Sequence, residues 1–331
     1  MSATTATIAP DRILKELAAL WTQEGKQGDA GVLRACSMTL VVIAEGADDE
    51  AAVAETVAAL MPEHPARAIL IRLQGAGERS LTERVYQQCW KPFGQRQQIC
   101  CEQIELTASD AALADLPSVI LPLAIADLPV MLWCRSPRLT GLPEFAQIAA
   151  LANKVIVDSS AFPDSADAVA GMAAAVGRGT VLGDLAWTRL TRWRETLARV
   201  FENPDYLARL PEITSIRVEH GPDHEISAWY LAAWAANALG TVGGAVTPVI
   251  GPQHASLRME LAGSSFRVEL SRQQDRLVTV INEQSNCTHL PAPSDYLLMR
   301  EELSRVGRDR IFEQALASAA RIAVSSSSEP Q

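Results

Sequence analysis

The sequence predicts an α/β protein: an N-terminal, mostly parallel sheet with helices on both faces, followed by an α+β domain with an antiparallel meander and a long C-terminal helix. Three observations predict it. Near-continuous apolar runs alternate with helical stretches through the first half, as strands covered on both faces require. Later, three strand-like segments follow one another across short polar links. Last, Phe312, Ala315, Leu316, Ala319 and Ile322 recur at helical spacing near the end of the chain.

After a short flexible lead, the first strand is TLVVIA (Thr39–Ala44), and an alanine-rich helix spans Asp48–Leu60. AILIRL (Ala68–Leu73) is the second strand, with a short helix expected through Leu81–Trp90. ICCEQIEL (Ile99–Leu106) alternates like a strand with one wetter face, placed nearer an edge. A helical segment over Ala111–Ala126 is broken by Pro117 and Pro122. PVMLWC (Pro129–Cys134) and VIVD (Val155–Asp158) are two further buried strands, separated by a helix around Glu144–Ala152. A helix near Asp164–Val176 ends at Gly177–Gly179, a hinge or C-cap.

The second half contains a strand at Ser215–Glu219 and an apolar helix at Ile226–Leu239. The meander is Ala255–Leu261, Ser265–Leu270 and Leu277–Asn282, and the last helix runs from about Ser294 to Val324. The domains are therefore read as 1–179 and 180–324, with 325–331 a disordered tail.

Gly183–Asn203 (GDLAWTRLTRWRETLARVFEN) reads as one marked helix. Leu190, Trp193, Leu197, Val200 and Phe201 form an apolar stripe, Asp184 stands at the N-cap, and Pro204 lies just past the end. Around the stripe are Trp187, Thr188, Arg189, Arg192, Arg194 and Arg199, an unusual surface in an acidic protein. Arginine and tryptophan are enriched at binding hot spots, so these residues are candidates for a partner interface. A solvated basic face with local pairs such as Glu195 to Arg199 is the plainer alternative.

Of the 331 residues, 48% are apolar and 21% charged, ordinary for a globular chain long enough for about two domains. The net charge of −10 disfavours nucleic acid and anionic membranes as main partners. No apolar run approaches the ~20 residues of a membrane span, and the start lacks a signal-peptide core, so the cytoplasm is expected. The six cysteines have no CxxC spacing, and reduced thiols are expected, with Cys100 and Cys101 pointing to opposite sides.

Sites for chemistry are sparse. A dinucleotide-binding turn should follow the first strand, yet Glu45-Gly46-Ala47-Asp48-Asp49-Glu50 offers one glycine among four carboxylates, which would repel a pyrophosphate. Gln74–Glu78 reads as a plain turn, and Gly240–Gly244 follows a helix instead of opening one. His220 and His224 flank Gly221-Pro222, which prevents a helical metal pair, and neither His64, His254 nor His289 adds one. His64-Pro65-Ala66-Arg67 is read as a turn fixing Arg67 near the surface. Asp158, Ser159 and Ser160 follow a strand at its carboxyl end, where α/β ligands bind, or cap the next turn. No nucleophile, base and orienting acid assemble, so the reading is not an enzyme, with no cofactor and no metal.

HPARAILI (64–71), CCEQIEL (100–106), DLPVMLW (127–133), NKVIVDSSAF (153–162) and GDLAWTRLTRWRE (183–195) together resemble, in order, the signatures of the OpcA family of glucose-6-phosphate dehydrogenase assembly proteins. The resemblance covers most of residues 35–203. It implies a non-catalytic partner of glucose-6-phosphate dehydrogenase in the oxidative pentose phosphate pathway, which supports assembly of the enzyme's active oligomer or activates it allosterically. The positions it carries over are His64, Arg67, Glu102, Asp127, Trp133, Asp158, Ser159, Ser160, Asp184, Trp187, Thr188, Arg189, Trp193 and Arg194. Trp133 and Trp193 lie on apolar stripes and are assigned to the core, whereas Trp187, Arg189 and Arg194 are assigned to the interface. Self-association is left open. The competing reading is a sugar phosphate or nucleotide at Asp158–Ser160, which would make the protein an enzyme or metabolite sensor.

Overall fold

Val32–Arg34 forms a short β1, and Met38–Glu45 forms β2, whose first six side chains are all buried. A computed structural model describes residues 9–24, 32–92, 98–241, 246–252 and 256–327. The chain divides into two compact units: Met1–Val157 with Asp295–Val306, and Asp158–Ser294 with Gly307–Gln331.

In the first unit, Asp49 caps the helix Glu50–Leu60 by accepting the Ala52 amide at 3.2 Å. The chain returns as β3 (Ala66–Leu73), parallel to β2. Leu81–Trp90 is not the expected helix but β4, antiparallel to β5 (Gln98–Ala108) along its length. Its Val85, Tyr86 and Trp90 suit a pleated surface, and the cross-strand partner overrides the local helical reading. β6 (Val130–Cys134) and β7 (Lys154–Val157) complete the unit, in the order β1-β5-β3-β2-β6-β7 with β4 beside β5. Strand order thus reverses between β2 and β6, as in a doubly wound sheet. β5 has partners along both sides, so the expected edge position is corrected: β4 takes it.

The register, not sequence spacing, brings Cys89 opposite Cys100, and the two form a disulfide, which corrects the expectation of reduced thiols throughout. Cys100 and Cys101 are both buried, because both faces of β5 are covered. Burial pushes the Cys101 thiol up to about 11 and that of Cys134 to about 12, so neither is a ready nucleophile. The bridge closes a sequence separation of 11. Cys89→Ser is expected to lower stability by about 2–3 kcal/mol, the unfolded-chain entropy of so short a loop, in urea unfolding with the other thiols reduced.

In the second unit, Asp164 caps the helix Ser165–Gly177, and Gly179 (φ 105°) follows its end, as a C-cap requires. β8 (Leu182–Asp184) leads into a short helix, Leu185–Thr188, and then a separate helix, Thr191–Val200. The single helix expected over Gly183–Asn203 is therefore broken at Arg189–Leu190. β9 (Ile213–Glu219) precedes the helix Glu225–Gly240, then come β10 (Val249–Gly251), β11 (Arg258–Gly263), β12 (Arg267–Gln273), β13 (Arg276–Ile281) and β14 (Gln284–His289). The sheet order is β10-β9-β11-β12-β13-β14. The meander is as expected, with β14 an added, wholly exposed strand. Gly263 closes β11 where an added Cβ would stand 2.3 Å from the Glu212 carbonyl oxygen, so no other residue fits without moving backbone.

The long terminal helix is two: Asp295–Leu303 in the first unit and Arg310–Ser327 in the second. The carbonyls of Glu302 and Arg305 turn instead to the Lys154 ammonium, at 2.8 and 2.9 Å, and Asp309 caps the second helix at the Phe312 amide. Residues 325–327, read as tail, are helical. The rest of the tail (328–331), the lead (1–8), His254 and Gly243–Gly244 lie outside the described residues. No described helix is long and apolar enough to cross a membrane.

Candidate functional site

The residue after β7, Asp158, and the last residue of β8, Asp184, organise a polar cluster inside the second unit. Asp184 is fully buried, with one oxygen accepting the amides of Ser159 and Ala186 at 3.0 Å each. Its other oxygen accepts the Ser159 hydroxyl at 2.6 Å and the Tyr230 hydroxyl at 2.7 Å. The expected N-cap is thus present, but it serves two segments at once. Asp158 caps the Ser160 amide and receives a bidentate guanidinium fork from Arg189 at 2.7 and 2.5 Å. Ser160 donates its hydroxyl to Asp158 and accepts from Arg189.

The two carboxylates are driven apart. Burial, helped by the nearby Asp158 charge, pushes Asp184 up to about 6. Burial acts on Asp158 too, but the hydrogen bonds and charge of Arg189 outweigh it and hold that carboxyl below its ordinary range. Tyr230 is raised by burial and by Asp184, so it stays a neutral donor. All of these groups are turned on one another, which is an arrangement that locks two chain segments together.

The structure corrects the surface expected for Trp187 and Thr188. Trp187 is 2% exposed, packed against Tyr230 and Phe312 with ring centroids 5.9 and 5.7 Å away, and Thr188 is buried as well. Arg194 covers the indole at 3.5 Å from its centroid and donates to the Trp187 carbonyl at 2.8 Å. Arg194 and Arg189 are therefore tied inward. Arg192 stands outside, pairing with Glu195 at 3.0 Å in place of the expected Glu195–Arg199 pair, and Arg199 is exposed on the same helix. Trp133 and Trp193 are core residues, as assigned.

In the first unit, Arg67 is buried, not held at the surface as expected, because β3 already begins at Ala66 and draws it inside. It donates to Glu102 at 2.6 Å and to the Leu123 carbonyl at 2.7 Å, while Trp21 and Arg34 also reach Glu102. The motif residues therefore meet one another: Arg67 with Glu102, Asp158 with Arg189, Ser159 with Asp184. His64 and Asp127 stand apart, the latter exposed at φ 66° in the turn before β6.

At the switch point between β2 and β6, the crevice is bridged from within the chain. Glu45 accepts from Ser136 and from Arg138, and Arg138 also grips Asp110 at 2.9 and 3.0 Å. Asp48 caps the Glu45 amide at 2.9 Å, and Glu50 pairs with Arg72. The four carboxylates of that turn are thus spent on the chain's own donors. Among the described residues, no group of three or more His, Cys, Asp or Glu could hold a metal ion.

Sequence patterns alone do not point to Tyr230, Lys154 and Glu302, whereas Phe312 is on the buried helix face expected of it. A tyrosine inside the apolar run AWYLAAW, and a lysine opening the buried strand KVIV, were the available signals.

Residues 57–174 match the family model for the glucose-6-phosphate dehydrogenase subunit N-terminal domain, and 180–316 match that for its C-terminal domain. The OxPP cycle protein OpcA of Nostoc punctiforme is 33% identical over 141 residues, 43% of this chain and 30% of that protein. Its counterpart in Synechococcus elongatus is 27% identical over 225 residues, 66% of this chain and 47% of that protein. The chain thus spans less than half the length of these curated relatives. Among solved structures, a dehydrogenase from Chromobacterium violaceum is similar at 11% identity and a TM-score of 0.45, over 89% of this chain and 94% of that one.

Proposed function

The chain belongs to the OpcA family of glucose-6-phosphate dehydrogenase subunit proteins, and from that premise we propose that it is a non-catalytic partner of the dehydrogenase, acting in the oxidative pentose phosphate pathway. The match of both family domains, end to end over most of the chain, carries this reading. The self-bridged crevice at Glu45 and Arg138 supports it, since the place where a doubly wound sheet usually takes a dinucleotide is held by the chain's own ion pairs.

The protein binds the dehydrogenase preferentially in its active oligomer. Activation then equals the affinity difference between the two states, typically about 1–3 kcal/mol. Of the basic helix, the outward Arg192 and Arg199 are the residues that reach a partner. The tethered Arg189 and Arg194 hold the helix in place behind them. The partner surface is accordingly acidic where this helix lands.

Charge reversal at Arg192 and Arg199 tests this without touching the buried cluster. The folded double variant, checked by circular dichroism, is expected to need at least about tenfold more protein for half-maximal activation of the dehydrogenase. Full activation at unchanged concentration would remove this helix from the interface. Failure of the wild-type chain to co-purify with the dehydrogenase or to change its activity would remove the partner itself.

A further inference from the structure

Three neighbouring strands of the second unit repeat one pattern: Arg217-Val-Glu219 on β9, Arg258-Met-Glu260 on β11 and Arg267-Val-Glu269 on β12. Alternation sends the central residue of each inward, where Val218, Met259 and Val268 are buried, and leaves every arginine and glutamate on the other face. On that face Arg258 binds Glu219 at 3.0 Å and Glu269 at 2.8 Å, and Arg267 binds Glu260. Toward one side the face turns apolar at the half-exposed Val278 and Val280 of β13.

The register arranges these side chains in two rows across the sheet. One row is Glu219, Arg258, Ser271, Val278; the next is Arg217, Glu260, Glu269, Val280. We propose that this face is the contact surface between two copies of the chain, packed face to face about a two-fold axis that runs across the strands between the two rows. Such an axis exchanges the rows within each strand. Glu219 then meets the second copy's Arg217, Arg258 its Glu260, and Val278 its Val280, while Ser271 is buried beneath its neighbours and takes no part. These three columns are complementary, with opposite charges on β9 and β11 and valine on valine at the side. A chain with net charge −10 repels its copies, so self-contact requires a surface whose own charges alternate in this way.

Analytical ultracentrifugation of Arg217→Glu, Glu219→Arg and their equimolar mixture tests the axis. Each variant alone places two like-charged pairs across the interface, and its dimer dissociation constant is expected to rise at least about tenfold. In the mixture, one chain carries glutamate at both positions and the other carries arginine at both. Opposite charges then face each other in both contacts, and dimers are expected to return. Val280→Arg leaves the charged rows intact, gains Glu269 as a neighbour in its own chain, and is expected to be a folded monomer. A wild-type chain that stays monomeric at all concentrations overturns the proposal, as does a dimer indifferent to Arg217→Glu and Val280→Arg. A monomer whose Arg217→Glu variant loses capture of the dehydrogenase also overturns it, giving the face to that enzyme instead.

Discussion

Asp184→Ala is expected to cost on the order of 4 kcal/mol. The change leaves two amides and two hydroxyls, those of Ser159, Ala186 and Tyr230, without their acceptor in a site closed to water. Asp184→Asn behaves differently. Its carbonyl oxygen still takes both amides, and its NH2 faces two hydroxyls that can turn to accept. The two variants also separate in pH dependence. The Asp184 carboxyl has a folded-state value of about 6, above that of an unfolded aspartate, so its stabilising contribution is complete below about pH 4 and is lost as pH rises through 6. The loss amounts to about 3 kcal/mol across that window. Asp158, held below its ordinary range, has the opposite sign and acts at lower pH. Urea unfolding from pH 4 to 7 should therefore show Asp184→Asn losing the falling component that wild type displays; an identical slope in both would refute the assignment.

Lys154→Ala is a second costly substitution. The ammonium is 3% exposed, bound to Glu302 at 2.6 Å and to two backbone carbonyls, and Glu302 is 5% exposed. Removing the lysine leaves a carboxylate buried without its counter-charge, which typically costs about 3–5 kcal/mol. Replacing both partners, Lys154→Met with Glu302→Leu, is expected to recover most of that loss, because two apolar side chains of similar volume need no compensation. Denaturant midpoints of the three proteins decide the matter. A double variant no better than Lys154→Ala would mean that the carbonyl contacts, and not the ion pair, dominate.

The strands that were legible in the sequence are those buried on both faces, such as Met38–Glu45 and Ala66–Leu73, because an apolar run needs no knowledge of its neighbours. Leu81–Trp90 was not legible, since only its pairing with Gln98–Ala108 makes it a strand. The wholly exposed Gln284–His289 has no hydrophobic pattern at all. Trp187 lies inside, against the expectation from one helix, for a geometric reason. In one continuous helix six residues turn the chain by about 240°, so Trp187 would stand well away from the Trp193 stripe. The break at Arg189–Leu190 resets that phase and delivers both indoles to the interior. In the candidate site, Asp184 as a cap was readable. Its partner Tyr230 was not, because nothing local says that position 230 returns to position 184.

The pairing of Lys154 with Glu302 spans 148 positions, and the helix Asp295–Leu303 belongs with strands made long before it. During synthesis on the ribosome, the early sheet must therefore wait, the Lys154 ammonium without its partners, while the whole of Asp158–Ser294 emerges. The later region waits longer still, since its own helix Arg310–Ser327 emerges last, and the earlier one is sealed only when residues near 305 leave the exit tunnel. A nascent chain stalled before residue 295 should accordingly be far more sensitive to protease in its first half than the finished protein.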